Sequence, residues 1–373
     1  MNMNTSRKND QQRFIFLASA LMAFLLFLSA CGTSSTGTVP SNASAPTTIP
    51  SPSPTVNPVL HQQGALNLQT FQQWIALMKQ YGGNVDTYQQ QYADDQQALN
   101  TATTDSAYQP ALKKLQNHVN AIQIPTMKAE ATSLQQQLQQ GATQWGQQHT
   151  YYDSYNQTTY KLGYEYGADG ISGWAQQQID SSQTLADYQQ TIENLQMWLT
   201  NFQAYKADFV DKTPYNQVHQ TDTRLLQHYG YTSGKVIVVS LAEETIRVYQ
   251  DNHLVNAFQV VTGMPQHPSL PGTWWVENKQ TNIQFTSGKQ PGQDGYYPPT
   301  PIAYALQYHS GGYFIHQSWW RTEYGPNKQF PHIDYNGTSF AYEGSHGCVN
   351  VSTPNIQWLY NFATTGTTKI VIY

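Results

Sequence analysis

Ser345-His346-Gly347-Cys348-Val349-Asn350 sets a thiol after a glycine, which lets backbone approach closely, and before a run leading into the helix start Thr353-Pro354. That is a poor recipe for core packing and a good one for a nucleophile. Only two cysteines occur, and Cys31 sits where an export signal would consume it, so Cys348 has no disulfide partner within the chain. Most free cysteines are small buried hydrophobes. A working thiol needs a base, because at its ordinary pKa only about a few per cent is thiolate at neutral pH, and histidine is the side chain able to exchange that proton. His346 lies two residues away, and His316 ends the apolar run Tyr313-Phe314-Ile315-His316, a buried strand delivering its last side chain to a site.

With these residues in view, the region resembles the L,D-transpeptidase family, also called the YkuD family, of peptidoglycan cross-linking enzymes. The hexapeptide and the Ile-His strand end carry the likeness. Lys235 to Tyr249, Phe258 to Gly263 and Pro271-Gly272-Thr273-Trp274 add the strand-turn-strand opening and its later turns. It covers roughly residues 233–373. The resemblance implies Cys348 as nucleophile, His316 as general base, and backbone N–H groups around Gly347 and Cys348 as oxyanion donors. It implies acyl transfer through a thioester: attack on a tetrapeptide stem at the carbonyl of its third residue, release of D-alanine, then a 3-3 cross-link to a neighbouring amine. Water as acceptor would instead make an L,D-carboxypeptidase.

The spacing departs from the family's. His316 stands 28 residues before Ser345 and His332 stands 12 before it. His316 is preferred, because it ends an apolar strand whereas Phe330-Pro331-His332-Ile333-Asp334 reads as loop; the extra residues, with Trp319, Trp320, Arg321, Tyr324 and the Asn336-Gly337 turn, then form an insertion beside the site. Arg321, and with it Trp319 and Trp320, are candidate substrate contacts, against the plainer reading of Arg321 as a solvated surface residue. Trp319 to Phe330 are read as a lid. Ser345 and Asn350 are expected to shape the turn through side-chain to backbone hydrogen bonds, and His346 either to do the same or to take part in catalysis.

The elements that must position these residues follow in chain order. Residues 1–30 are a signal peptide: Arg7, Lys8 and Arg13 precede the apolar Phe14 to Ala30, and Leu28-Ser29-Ala30-Cys31-Gly32 resembles a lipobox, with Cys31 lipidated; the alternative is an uncleaved membrane anchor. Residues 31–60 form a Ser/Thr/Pro tether, too polar to bury a core; the 29 residues from Gly32 to Leu60 span about 30 Å as coil and roughly 90 Å as polyproline II. That is enough to lift a domain from a membrane toward a wall.

Residues 61–218 read as an antiparallel helical bundle or spacer. Phe71, Trp74, Ile75, Met78 and Tyr81, then Leu112, Leu115, Val119 and Ile122, then Leu185, Tyr188, Ile192, Leu195, Leu199 and Phe202 recur at three and four, with Thr184 as N-cap and Asp187 three residues on. Breaks are expected at Gly82-Gly83 and Pro125, giving helices of about 25 residues, or about 38 Å. His118 and His149 look isolated, and no catalytic constellation appears here.

From 219 to 373 the period becomes two. Strands are expected at Val236–Leu241, Thr245–Gln250, Leu254–Val261, Trp274–Glu277, Ile302–Tyr308, Tyr313–His316 and Lys369–Tyr373, and a helix from Pro354 to Phe362 capped by Thr353. The whole is an α+β multidomain chain: an N-terminal α-helical bundle, then a mostly β, L,D-transpeptidase-like domain. A net charge of −5 with 11% charged residues and no basic patch argues against nucleic acid. No phosphate loop appears, and no cofactor or metal is expected. The partners expected are peptidoglycan stem peptides and, through the lipid, a membrane, on the extracytoplasmic side facing the wall. Two other classes stay open: a zinc hydrolase using His316, His332, His346 and Cys348, and a non-catalytic wall-binding lipoprotein.

Overall fold

The computed structural model describes residues 55–293, 295–340 and 344–373. The signal peptide, Cys31 and nearly all of the tether lie outside the described residues. The described chain begins with α1 (Pro58–Gln80), α2 (Asp86–Thr101) and α3 (Asp105–Gln148). Phe71, Ile75 and Met78 from the first stripe and Leu112, Leu115, Val119 and Ile122 from the second meet in one core of their own. Gly82 adopts a φ of +75° in the turn after α1, so the break expected there is present.

The break expected at Pro125 is not. α3 runs 44 residues, about 66 Å at 1.5 Å per residue, with Pro110 and Pro125 inside it. Pro125 deprives one carbonyl of its N–H, but both flanks are held by packing: Ile122 belongs to the α1–α3 core, while Met127 and Ala131 pack into a second, larger core. The proline marks the changeover between two cores along one continuous rod.

A hairpin that the sequence reading missed follows, β1 (Thr150–Asp153) and β2 (Thr158–Lys161), with Tyr151 opposite Tyr160. Then come a 3-10 turn (Tyr164–Tyr166), α4 (Ile171–Ser181), α5 (Leu185–Val210) and α6 (Gln220–His228). α5 carries the expected capping box between Thr184 and Asp187, and of its stripe Tyr188, Ile192, Leu195 and Phe202 are buried, Leu199 is half-buried and Leu185 is exposed in the first turn.

Glu165 in the 3-10 turn is fully buried, and burial pushes its carboxyl up to about 7. Because the folded pKa lies above the unfolded one, the neutral acid is the form that folding favours. Stability is therefore full below the ordinary carboxylate range and declines as pH rises toward 7, by roughly 3 kcal/mol. Glu165→Gln is expected to flatten this dependence. Melting temperatures of both proteins at pH 5 and pH 8 check it, the variant losing less between the two.

The remaining strands form two sheets. β3 (Lys235–Ser240), β4 (Thr245–Gln250), β5 (His253–Gln259), β6 (Gly272–Trp275) and β13 (Lys369–Ile372) assemble in the order β5-β4-β3-β13-β6, with β13 parallel to β3. β7 (Asn278–Phe285), β8 (Thr300–His309), β9 (Tyr313–Gln317) and β12 (Val349–Val351) form the second, ordered β12-β9-β8-β7. A two-residue pair, β10 (His332–Ile333) and β11 (Ser339–Phe340), lies in the insertion. α7 (Thr353–Phe362) starts one residue earlier than expected, with Ser352 at the cap and Pro354 in its first turn.

The larger core is continuous from α3, α4 and α5 into both sheets. Polar contacts pin the same face: Trp198 Nε1 donates to the Pro271 carbonyl at 3.2 Å and Asn201 Nδ2 to that of Ile372 at 2.9 Å.

Candidate active site

His316 lies on β9 and Cys348 immediately before β12, and the two strands run parallel with Asn350 opposite His316 and Val349 opposite Ile315. Side chains alternate faces, so Cys348 and Asn350 share the face of Phe314 and His316. The neighbouring strands thus put thiol, amide and imidazole on one side. All three line a cavity of about 310 Å³, with Phe285, Tyr297, Ile302, Trp319, Trp320 and Arg321 in its wall.

The motif's turn depends on Gly347, whose φ of +101° disfavours any side chain and whose added Cβ would fall 2.7 Å from the Tyr313 ring. The Ser345 hydroxyl donates to the Cys348 carbonyl and accepts the Gly347 N–H at 3.1 Å, closing the turn as expected of that serine. One expectation changes in consequence. The Gly347 N–H is taken up inside the turn, so it is not aimed at an oxyanion, and the motif's remaining candidate donor is the Cys348 N–H. Ser269, not singled out in the sequence, donates to the Gly347 carbonyl at 3.0 Å.

The expectation for Asn350 is a side-chain bond to backbone; the bonds its side-chain amide makes here run instead to two other side chains. Arg321 Nε donates to its Oδ1 at 3.0 Å, which turns its Nδ2 toward His316 Nε2, 3.2 Å away. An amide N–H facing Nε2 requires a bare nitrogen there, and His316 Nδ1 correspondingly donates to the Gln317 carbonyl at 2.7 Å. The unprotonated nitrogen is therefore Nε2. Its tautomer is set by a carbonyl that no side-chain pattern could reveal.

Arg321 is not the solvated residue that its type suggested. It is 6% exposed, donates also to the Gly344 carbonyl at 2.7 Å, and lies over the Phe340 ring at 4.6 Å. Trp320 packs 6.2 Å from His316, while Trp319 is exposed at the rim and donates to the Pro301 carbonyl. His346 stacks on His267 at 5.1 Å, packs against Tyr297 at 5.2 Å and lines the cavity.

His332 is elsewhere. Its Nδ1 donates to the Phe330 carbonyl and its Nε2 meets Asp334 at 2.9 Å, and it does not line the cavity. The four candidate zinc ligands are therefore not gathered together. Among the described residues, metal-type spacing occurs at Asp208, His219 and Glu243 and at Glu323, His332 and Asp334, and in these groups Arg247 and Lys328 already pair with Glu243 and Glu323.

Burial pushes the Cys348 thiol up to about 12, opposed by the Phe314 N–H, and its Sγ donates to the Gly312 carbonyl at 3.7 Å. Burial lowers His316 to about 4; the Gln317 carbonyl opposes this and the Arg321 charge adds to it. At rest the cavity holds a protonated thiol and a neutral imidazole. A pH dependence follows with a definite sign: the base is unprotonated above about 4 and the thiol protonated below about 12. Acylation by an activated carbonyl is expected to be level from pH 9 to 5 and to fall as pH drops through the histidine's pKa. Rapid-mixing rates across that range check it; a decline beginning near pH 7 contradicts it.

The family model for the L,D-transpeptidase catalytic domain, YkuD, matches residues 234–372. No curated protein matches the chain. Among solved structures, a mutant L,D-transpeptidase from Enterococcus faecium is 23% identical over 38% of this chain and 50% of its own, with a TM-score of 0.32. An L,D-transpeptidase from Mycobacterium smegmatis is 21% identical over 38% of this chain and 59% of its own, with a TM-score of 0.31. The catalytic domain of the E. faecium enzyme, solved by NMR, is 25% identical over 39% of this chain and 100% of its own, with a TM-score of 0.30. The chain thus spans about half the length of the first of these. On the strength of the family model, residues 234–372 are an L,D-transpeptidase catalytic domain of the YkuD family.

Proposed function

We propose that the protein is a peptidoglycan L,D-transpeptidase in which Cys348 is the nucleophile and His316 the general base. The observation that supports it most is the bare Nε2 of a neutral His316 on the same strand-pair face as the thiol, both in one cavity. Sγ attacks the carbonyl carbon of the third residue of a tetrapeptide stem as His316 Nε2, released by the Asn350 amide that faces it at rest, takes the thiol proton. The Cys348 N–H holds the oxyanion. The C–N bond to D-alanine breaks, and the leaving amine receives the proton from His316. An amine of a second stem then attacks the thioester, forming the 3-3 peptide bond and restoring the thiol. Lipidation of Cys31 and the proline-rich tether would hold the enzyme on the outer face of a membrane, its catalytic domain toward the wall.

Incubation of the enzyme with disaccharide-tetrapeptide and mass analysis of the products tests this. Loss of D-alanine with a 3-3 dimer supports transpeptidation. Loss of D-alanine with tripeptide alone identifies a carboxypeptidase, and unchanged tetrapeptide removes the enzyme reading in favour of a wall-binding lipoprotein.

A further inference from the structure

The 318–340 insertion supplies Trp319, Trp320 and Arg321 to the cavity, yet little of it is regular structure: beyond the short β10–β11 pair it is loop. Something must hold it. Among its described residues Phe330 is a fully buried ring, and the rings around it come from the helical region: Tyr151 stacks at 4.8 Å and 18°, Tyr160 at 5.0 Å and 26°, and Tyr164 meets it edge-on at 6.2 Å. Tyr151 and Tyr160 are cross-strand partners on β1 and β2, so one hairpin face presents both. The same region touches the insertion's far end, where Tyr155 Oη lies 2.6 Å from Ser339 Oγ. It also reaches the motif's own support: Tyr164 donates to the Gly263 carbonyl at 2.6 Å, and Gly263 bridges Ser345.

From Phe330 the path to the site is short. Four residues on, Asp334 accepts the Thr322 N–H and hydroxyl at 2.8 and 2.9 Å and the Glu323 N–H at 3.2 Å, fixing the backbone just after Arg321. His332 stacks at 5.3 Å on Phe340, the ring beneath the Arg321 guanidinium. Arg321 then orients Asn350, and Asn350 faces His316.

We propose that the β1–β2 hairpin is a positioning device for the active site: Tyr151 and Tyr160 hold Phe330, and through it the insertion that walls the cavity. The helical region is thus part of the substrate site's support as well as a spacer. Because the direct β9–β12 pairing sets His316 and Cys348, while the insertion walls the cavity and reaches His316 at one remove through Asn350, the device governs substrate binding more than the chemical step. This inference rests on the proposed function, since it concerns the same cavity.

The test compares the full-length protein with the Tyr151→Ala/Tyr160→Ala and Tyr151→Phe/Tyr160→Phe pairs and with Phe330→Leu, which keeps a buried apolar side chain. Saturation kinetics of acylation by a carbapenem are read for each. The alanine pair is expected to raise the half-saturating concentration about tenfold while the limiting rate stays within about threefold; the phenylalanine pair is expected to match the wild type, and Phe330→Leu to shift in the same direction by about threefold or more. Half-saturation unchanged in both the alanine pair and Phe330→Leu overturns the inference, as does a defect in the phenylalanine pair equal to that of the alanine pair. A wild-type protein that is not acylated overturns the proposed function instead, so the two failures are distinct.

Discussion

Alanine at Cys348 is expected to abolish acyl transfer, and alanine at His316 to lower it by about 10³-fold with the thiol still in place. The second number follows from the environment of the first residue. A thiol already ionised by a cationic neighbour would tolerate loss of a base. Here burial holds Cys348 protonated, up to about 12, so almost no thiolate exists at neutral pH and proton removal must accompany attack. Of the other histidines weighed for the site, His332 is committed to Phe330 and Asp334 and does not line the cavity, and His346 is stacked on His267. Turnover of tetrapeptide by the two variants, with circular dichroism confirming the fold, checks this. Near-normal activity in His316→Ala would move the base to another group. Asn350→Asp is a milder companion, since its carboxylate would face Nε2 with an acceptor while the Gln317 carbonyl still takes the Nδ1 proton, favouring the protonated imidazole over the bare Nε2.

The other large effect concerns stability and lies far from the cavity. Arg247 on β4 is fully buried, with Nε 2.5 Å and Nη2 3.0 Å from the Asp222 carboxylate, Nη1 against Glu243, and Nη2 also 3.3 Å from Asp208 and 2.8 Å from the Tyr373 hydroxyl. Burial works to raise Asp208, and its bonds from His219, Arg247 and Ser240 outweigh that and hold it below the usual carboxylate range. Asp208 belongs to α5 and Asp222 to α6, so one guanidinium ties the helical region to the sheet. Arg247→Met fills much of the volume but strands buried carboxylates without their cation, at a cost of about 3–5 kcal/mol near neutral pH. Asp208, which this cation helps to hold down, would then rise in pKa, so the deficit shrinks as pH falls and it takes up a proton. Urea unfolding at pH 7.5 and pH 5.5 measures both the loss and its sign; equal stability to wild type at both would show that the network contributes nothing.

What could be read from the chain beforehand was whatever is encoded locally. The hexapeptide is contiguous, so the turn around Gly347 and the thiol beside it were visible. The buried runs of β3 and β13 and the stripe of α5 follow from periodicity, and the capping box at Thr184 and Asp187 lies within four residues. Long-range partners hid the rest. Arg321 looks solvated until Asn350 and the Gly344 carbonyl are brought to it. Tyr151 and Tyr160 sit in strands of four residues, and Phe330, the side chain that packs on both, is about 170 positions away in sequence. β7 was missed because Asn278 to Phe285 is mostly polar, as an edge strand bonded only to β8 allows. Pro125 reads as a break by its chemistry, and the two cores on either side of it override that.

The central claim is that Cys348 accepts an acyl group with His316 as its base. The most direct measurement is the intact mass of the full-length protein after exposure to a carbapenem, whose strained ring amide acylates a competent nucleophile, with peptide mapping to locate the added mass. The account predicts one adduct on the peptide carrying Cys348, absent in Cys348→Ala and formed far more slowly in His316→Ala. An unmodified wild-type protein, or an adduct that persists in Cys348→Ala, would contradict it.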